Sequence, residues 1–147
     1  MRALVQRVKS GAVTIEKNET RRIGPGLVIL LGVTHDDTAA DVKFLADKCM
    51  NLRIFTDEAD KMNLSLLDVA GSALIVSQFT LYGDCRKGRR PGFDAAAPPA
   101  HAIPLYEQFV AEFKQAGIPT QTGEFGAGML VDIQNDGPVT LMVESKK

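Results

Sequence analysis

Histidine and cysteine are scarce in this chain, with two of each among 147 residues. His35 and His101 each stand near an expected helix start, where a plain polar or capping role is the ordinary one. Neither belongs to a His-Glu-x-x-His, His-x-Glu or cysteine-flanked arrangement, so no catalytic zinc is expected, nor any other metal or cofactor. Cys49 and Cys85 form no Cys-x-x-Cys pair and read as two free thiols in a reducing compartment. Arg86 and Lys87 follow Cys85, and their charge favours a thiolate. Without a positioned base, a loop cysteine with no chemical role is the simpler reading.

Other signatures are missing as well. There is no Gly-x-Ser-x-Gly elbow, no Gly-x4-Gly-Lys-Ser/Thr loop and no Gly-x-Gly-x-x-Gly after a strand. Triad hydrolases, P-loop enzymes and dinucleotide enzymes all lose support. Any catalysis here has to work with few side-chain acids and bases. Nor is there a run of about 18 apolar residues, so no spanning helix and no membrane partner are expected. The opening stretch MRALVQRVKS alternates polar and apolar residues, which reads as a strand rather than a signal peptide. A soluble, cytoplasmic protein is expected. The net charge of −1 offers no global attraction to nucleic acid, so any such binding must come from a local patch.

What the sequence does contain is an ordinary globular mixture, 45% hydrophobic and 24% charged, at a length suited to one domain spanning 1–147. Such a chain buries a core without a metal or disulfide. Strands are expected at Leu4–Lys9 and Ala12–Glu16, joined by a hairpin at Ser10-Gly11. A continuous apolar strand, Leu27–Val33, follows the Gly24-Pro25-Gly26 turn. Asp36, Asp37 and Thr38 start a helix over about 38–51, with Val42, Leu45, Ala46 and Cys49 on its apolar face. Arg53–Phe55 reads as a short strand before a polar turn at Asp57–Lys61, and Ala73–Leu81 as the next strand. Tyr82–Ala100 is long, irregular and basic, as functional or mobile loops often are. A second helix is expected from a first turn at Pro104, burying Leu105, Phe109, Val110 and Phe113 and ending by Gly117 and Pro119. Met129–Gln134 and Val139–Val143 alternate as strands around a turn at Asn135–Pro138. The order predicts an α+β fold: a single compact domain whose mixed or antiparallel sheet curls toward a barrel, with two main helices.

Two segments stand apart. Ser77-Gln78-Phe79-Thr80 ends a buried strand with polar groups, which by itself is compatible with local capping. Asn135-Asp136-Gly137-Pro138-Val139-Thr140 reads alone as a turn, with a Gly-Pro bond of the kind that takes the cis form. Together, and in this frame, they resemble the D-aminoacyl-tRNA deacylase family. The resemblance spans essentially the whole chain. Its ordered matches include Met1-Arg2-Ala3, Gln6-Arg7-Val8, Gly32-Val33, Leu52–Phe55, Lys61–Ser65, SQFTLYGD from Ser77, Arg86–Pro91, Ala96–Pro98, Thr122–Ala127 and NDGPVT from Asn135. Gly83 and Gly92 fall at variable loop positions, and Gly128 precedes Met129.

The resemblance implies hydrolysis of the ester between a D-amino acid and the 3′ acceptor end of tRNA. Ser77, Gln78, Phe79 and Thr80 would form the catalytic pocket, with backbone N–H groups holding the tetrahedral oxyanion and a ribose hydroxyl assisting the water. Thr80 as a covalent nucleophile is the competing proposal, and it needs a base that the sequence does not offer. The resemblance further implies a homodimer in which Gly137-Pro138 enters the partner's pocket, binds the substrate ammonium through carbonyls and excludes L side chains. Glycyl-tRNA, including tRNA(Ala) mischarged with glycine, would then be a substrate too. For Arg7 two readings stand open, a bond to carbonyls of the Gly-Pro turn or a surface arginine with a buried stem. Met129 lines the pocket or belongs to the core. Arg86, Lys87, Arg89 and Arg90 are a solvated charge run by default, and with a tRNA ester as ligand they become candidate phosphate contacts.

Overall fold

The computed structural model describes residues 1–16 and 19–146. β1 (Arg2–Ile15) is the spine of the molecule. On one edge β2 (Glu19–Ile23) and β3 (Gly26–Gly32) lie end to end, pairing antiparallel with residues 11–15 and 2–8 of β1. The other edge pairs along its whole length with β8 (Met129–Glu144). The hairpin expected at Ser10-Gly11 is therefore absent, and the strand runs through both residues. Its two halves share β8 as a partner, so the chain bends instead of reversing. Register shifts between Gln6 and Val8 and between Val8 and Ser10 take up that bend, as bulges do.

β3 continues through α1 (Ala39–Asn51) and a two-stranded ribbon, β4 (Phe55–Thr56) with β5 (Met62–Leu64), to β6 (Ser72–Ser77), which lies parallel to β3. A second crossover, α2 (Pro99–Gln115), leads to β7 (Thr120–Thr122), parallel to β6. The sheet order is β2-β1-β3-β6-β7, with β8 added on β1. The sheet is mixed and curls nearly to a barrel, so that β2 approaches β7. There Arg21 Nη1 donates to the carbonyl of Thr122 at 2.8 Å. This is the α+β architecture expected from the element order.

Two apolar clusters result. Leu27, Ile29 and Leu31 of β3 pack with Val42, Leu45, Ala46 and Cys49 of α1 and with Leu105, Phe109, Val110 and Phe113 of α2. Val28 on the opposite face joins Val8, Val13, Ile15, Ile23, Leu74 and Val76 inside the curl. Because both faces of β3 are covered, its sequence is a continuous apolar run rather than an alternation. Phe109 and Phe113 are fully buried, and truncating either to alanine costs about 3–5 kcal/mol. α1 starts as expected at Thr38, whose N–H donates to the Asp41 carboxylate at 2.8 Å. α2 starts five residues before Pro104. Pro98 and Pro99 open it, and the Ala102 N–H donates to the Pro98 carbonyl. Pro104 and Ala100 both lie on the exposed side, so water replaces the one bond that the proline ring removes.

Candidate active site

The segment singled out at Ser77 is a sharp turn. β6 stops at Ser77 instead of running to Leu81, because β3, its pairing edge, has ended. The last rung is the Gln78 N–H on the Leu31 carbonyl at 2.8 Å. Phe79–Tyr82 then form one 3-10 turn, closed by Leu81 N–H on the Gln78 carbonyl and Gly83 N–H on the Thr80 carbonyl. The first N–H groups of any helix lack an acceptor within it. Among the described residues no backbone carbonyl takes those of Phe79 and Thr80. Ser77 and Gln78 are half-buried, while Phe79 and Thr80 are exposed. The Thr80 hydroxyl accepts from the Gln78 side-chain amide, a group with no basic character. Both histidines are engaged elsewhere, His35 donating to the Asp94 carbonyl and His101 to that of Asp37.

The second segment is also not the turn expected from sequence. β8 does not reverse at Asn135–Pro138. Residues 136–139 loop out of a continuing strand, so that β8 advances from Asn135 to Thr140 while β1 advances only from Val8 to Gln6. Asn135 spans the base of this bulge. Its Oδ1 accepts the Val139 N–H at 2.7 Å and its Nδ2 donates to the Thr140 hydroxyl at 2.8 Å. Gly137 has φ +133°, a conformation closed to other residues. A Cβ there would stand 2.9 Å from Val139 Cγ2 and 3.0 Å from Arg7 Nη2. The Gly137-Pro138 peptide is cis, and both residues are exposed. Arg7, only 11% exposed in its side chain, donates through Nε to the Asp136 carbonyl at 2.9 Å and through Nη1 to that of Ile54 at 2.7 Å. Of the two readings left open for this arginine, the geometry is the bond to the turn. Met129 is half-buried and packs with the cluster inside the curl.

A family model for D-Tyr-tRNA(Tyr) deacylase matches residues 4–144. The chain belongs to that family. It is 58% identical over its full length to the D-aminoacyl-tRNA deacylase of Clostridioides difficile (strain 630), covering 99% of that protein. With the D-aminoacyl-tRNA deacylase of Thermus aquaticus it shares 56%, covering 97%. Among solved structures, the c-Myc DNA Unwinding Element Binding Protein matches with a TM-score of 0.92 at 39% identity over the whole of both chains. A structure described as a "probable eukaryotic D-amino acid tRNA deacylase" gives 0.86 at 21% identity, over 97% of this chain and 98% of that one, and shares the fold. Membership places the chain among enzymes, hydrolases that act on aminoacyl-tRNA.

Within this deacylase frame the expected site residues fall into three groups. Ser77–Thr80 make one turn, Arg7 with Gly137-Pro138 makes another, and the basic residues sit on the loop that leaves the first. That loop is closed at its base. Asp84 and Gly92 exchange N–H···O bonds of 2.7 and 2.8 Å, and Gly88 lies at the tip with φ +64°. Arg86 is paired with Asp84 at 2.8 Å, and this guanidinium pulls the Asp84 carboxyl down to about 2. Lys87, Arg89 and Arg90 are exposed, with no carboxylate partner among the described residues. Cys85, also on this loop, is exposed, whereas Cys49 is buried in the core, where desolvation pushes its thiol up to about 12.

The two turns do not meet within the chain. The first lies beside Arg2, whose Nη1 donates to the Leu81 carbonyl, and the second beside Arg7. On an extended strand these positions are about 17 Å apart at roughly 3.3 Å per residue. The sequence suggested no role for Arg2, Phe93 or Asn135, which contact the two turns, Phe93 by meeting the Phe79 ring edge-on. Asn135 had a readable signal, an Asx residue two positions before a Gly-Pro pair. Arg2 and Phe93 had none, since their contacts are made across the fold.

Proposed function

We propose that this chain, acting throughout 1–147 as a cytoplasmic homodimeric deacylase, hydrolyses the ester of D-aminoacyl-tRNA and spares L-aminoacyl-tRNA. The observation that carries the reading is a turn whose first two backbone N–H groups, Phe79 and Thr80, are taken by no backbone carbonyl among the described residues. Attack of water on the ester carbonyl builds an oxyanion, and the two N–H groups stabilise it. Each such donor is worth about 2.7–4 kcal/mol. Collapse of the intermediate expels the terminal ribose oxygen and frees tRNA and amino acid. The neighbouring ribose hydroxyl of the RNA assists the water. Thr80 as nucleophile is disfavoured, since its hydroxyl has an amide and not a base for a neighbour.

Selection by handedness falls to Gly137-Pro138. Its carbonyls receive the substrate ammonium, and its backbone occupies the space where an L side chain would point. Glycine has no side chain to be excluded, so glycyl-tRNA(Ala) is cleaved as well. The separation of the two turns along β1 supports a site shared between subunits, in which the partner's Gly-Pro bulge covers the exposed Phe79–Thr80 turn. Lys87, Arg89 and Arg90, with Arg86, contact phosphates near the acceptor end without reading sequence.

A second reading is favoured by one finding, the 39% identity with a protein named for binding a DNA unwinding element. It makes the basic loop a DNA contact. Hydrolysis of matched D- and L-tyrosyl-tRNA by trace enzyme, with a chelator present, tests the first reading. Fast turnover of the D ester alone is expected, with glycyl-tRNA(Ala) also cleaved. Equal rates, or release of no more than one equivalent, would sink it. Mobility shifts with DNA and charged tRNA across a salt series separate the two ligands.

A further inference from the structure

We infer that Arg2 is a positioning residue for the reaction, the strut that fixes the Phe79–Tyr82 turn. The inference rests on the catalytic reading of that turn given above. A single 3-10 turn closed by two backbone bonds does not hold its own shape, because so short a helix has poor hydrogen-bond geometry and an unfavourable nucleus. Its conformation must be imposed by what surrounds it. Three supports are present. Below lies Gly32, where even a Cβ would stand 3.2 Å from the Gln78 carbonyl oxygen, Leu81 Cβ and Tyr82 Cδ2. At the front the Phe79 ring meets Phe93 edge-on at 5.2 Å. At the C-terminal end there is Arg2.

Arg2 makes three contacts there, two to the turn and one that anchors it. Its Nη1 donates to the Leu81 carbonyl at 2.9 Å, one of the acceptors a helix end leaves unpaired. Its guanidinium lies 4.5 Å from the centroid of the Tyr82 ring. Its Nε donates to Glu144 Oε1 at 2.6 Å, which ties the group to the last residue of β8. Arg2 itself is the first residue of β1 and pairs with Gly32, so the strut is anchored in the strand beside the floor of the turn. Lysine has one ammonium in place of a planar fork and cannot reproduce all three contacts. Donors in an oxyanion site act only when aimed, and a displacement near 1 Å costs about 100-fold in rate.

The test compares Arg2→Met, Arg2→Lys and Glu144→Gln, with kcat and KM for D-tyrosyl-tRNA read beside amide hydrogen exchange. In Arg2→Met the Leu81 and Gly83 amides, protected by the turn, are expected to exchange about tenfold faster. kcat falls by a similar factor of about ten while KM stays within about twofold, because the basic loop is untouched. Arg2→Lys recovers part of kcat. Glu144→Gln, which keeps the Leu81 bond and perturbs the fold least, lowers kcat less than Arg2→Met. Unchanged amide protection in Arg2→Met overturns the role of Arg2 and leaves the catalytic reading standing. Faster exchange with kcat unchanged overturns the catalytic reading of the turn, and the positioning role with it.

Discussion

The two turns at the ends of the first half of β1 each take an arginine on a backbone carbonyl, and otherwise they are built differently. The Phe79–Tyr82 turn presents N–H groups and is held by a close backbone approach at Gly32, a ring at Phe93 and one guanidinium on its C-terminal carbonyl. The Gly137-Pro138 bulge is held by side-chain amide and guanidinium groups, Asn135 on the Val139 N–H and Arg7 on the Asp136 carbonyl. One end thus offers donors suited to an oxyanion, the other an exposed Gly137-Pro138 backbone. An α-aminoacyl ester carries a developing oxyanion and an ammonium, so it calls for both. The difference teaches that backbone groups are fixed from outside their own segment, by an arginine across the fold in both turns, and on the proposed reading those fixing groups lie one step away from the reacting atoms.

The largest expected effect separates donor from ring in the first turn. Phe79→Pro places proline at the first helical position, where the backbone tolerates it, and removes one N–H. kcat on D-tyrosyl-tRNA should fall by about 100- to 1000-fold, whereas Phe79→Ala, which keeps the N–H, should stay far closer to wild type. Equal losses in the two variants would assign the effect to the ring and break the contrast drawn above.

Next comes the holder of the second turn. Arg7→Met keeps the buried stem and leaves the Asp136 and Ile54 carbonyls without their charged donor. About 2 kcal/mol of stability should be lost, seen as a fall in Tm of about 4–8 °C. D-over-L selectivity should drop by about tenfold or more while hydrolysis of the D ester persists. Mixing Phe79→Pro with Arg7→Met protein should restore part of the selective activity through heterodimers, each with one site of undamaged parts. No recovery on mixing would count against a site shared between subunits.

The basic loop should show a smaller effect, on binding alone. Neutralising Lys87, Arg89 and Arg90 should raise KM several-fold and flatten the dependence of log affinity on log salt by about 2–3 units of slope. kcat measured at saturation should stay put. Smallest of all is the Asp84–Arg86 pair at the loop's base. Because the folded carboxyl is depressed, its contribution is present above the ordinary carboxylate value and is lost as pH falls through about 2. A carbon-detected titration of Asp84 should find that low midpoint, and Arg86→Ala should move it back up. With Asp84 and Arg86 both exposed, the global Tm should hardly respond.

Much of the frame was legible beforehand for simple reasons. The Val42, Leu45, Ala46, Cys49 spacing and the Leu105, Phe109, Val110, Phe113 spacing mark helix faces because a helix repeats every 3.6 residues, and all of those residues are buried. β3 was readable because both its faces are covered. β2, β5 and β7 were not. ETRRI, MNL and TQT are short and polar, and their strand character comes from partners rather than from pattern. The end of α2 was placed by glycine and proline, but its start was misread because Pro104 lies where a lost bond falls to solvent.

Composition and motif order by themselves determined the fold class and the family, and they singled out the two segments at Ser77 and Asn135. Only the tertiary structure decided that Ser77–Thr80 form a turn with two unengaged donors, that Asn135–Thr140 loop out of one continuous strand, and that the two sit at opposite ends of half of β1. The physical reason lies in range. Periodicity and turn residues act over a few positions, whereas the unpaired N–H groups, the bulge and the grip of Arg2 and Arg7 arise where segments 47 to 142 residues apart in sequence meet.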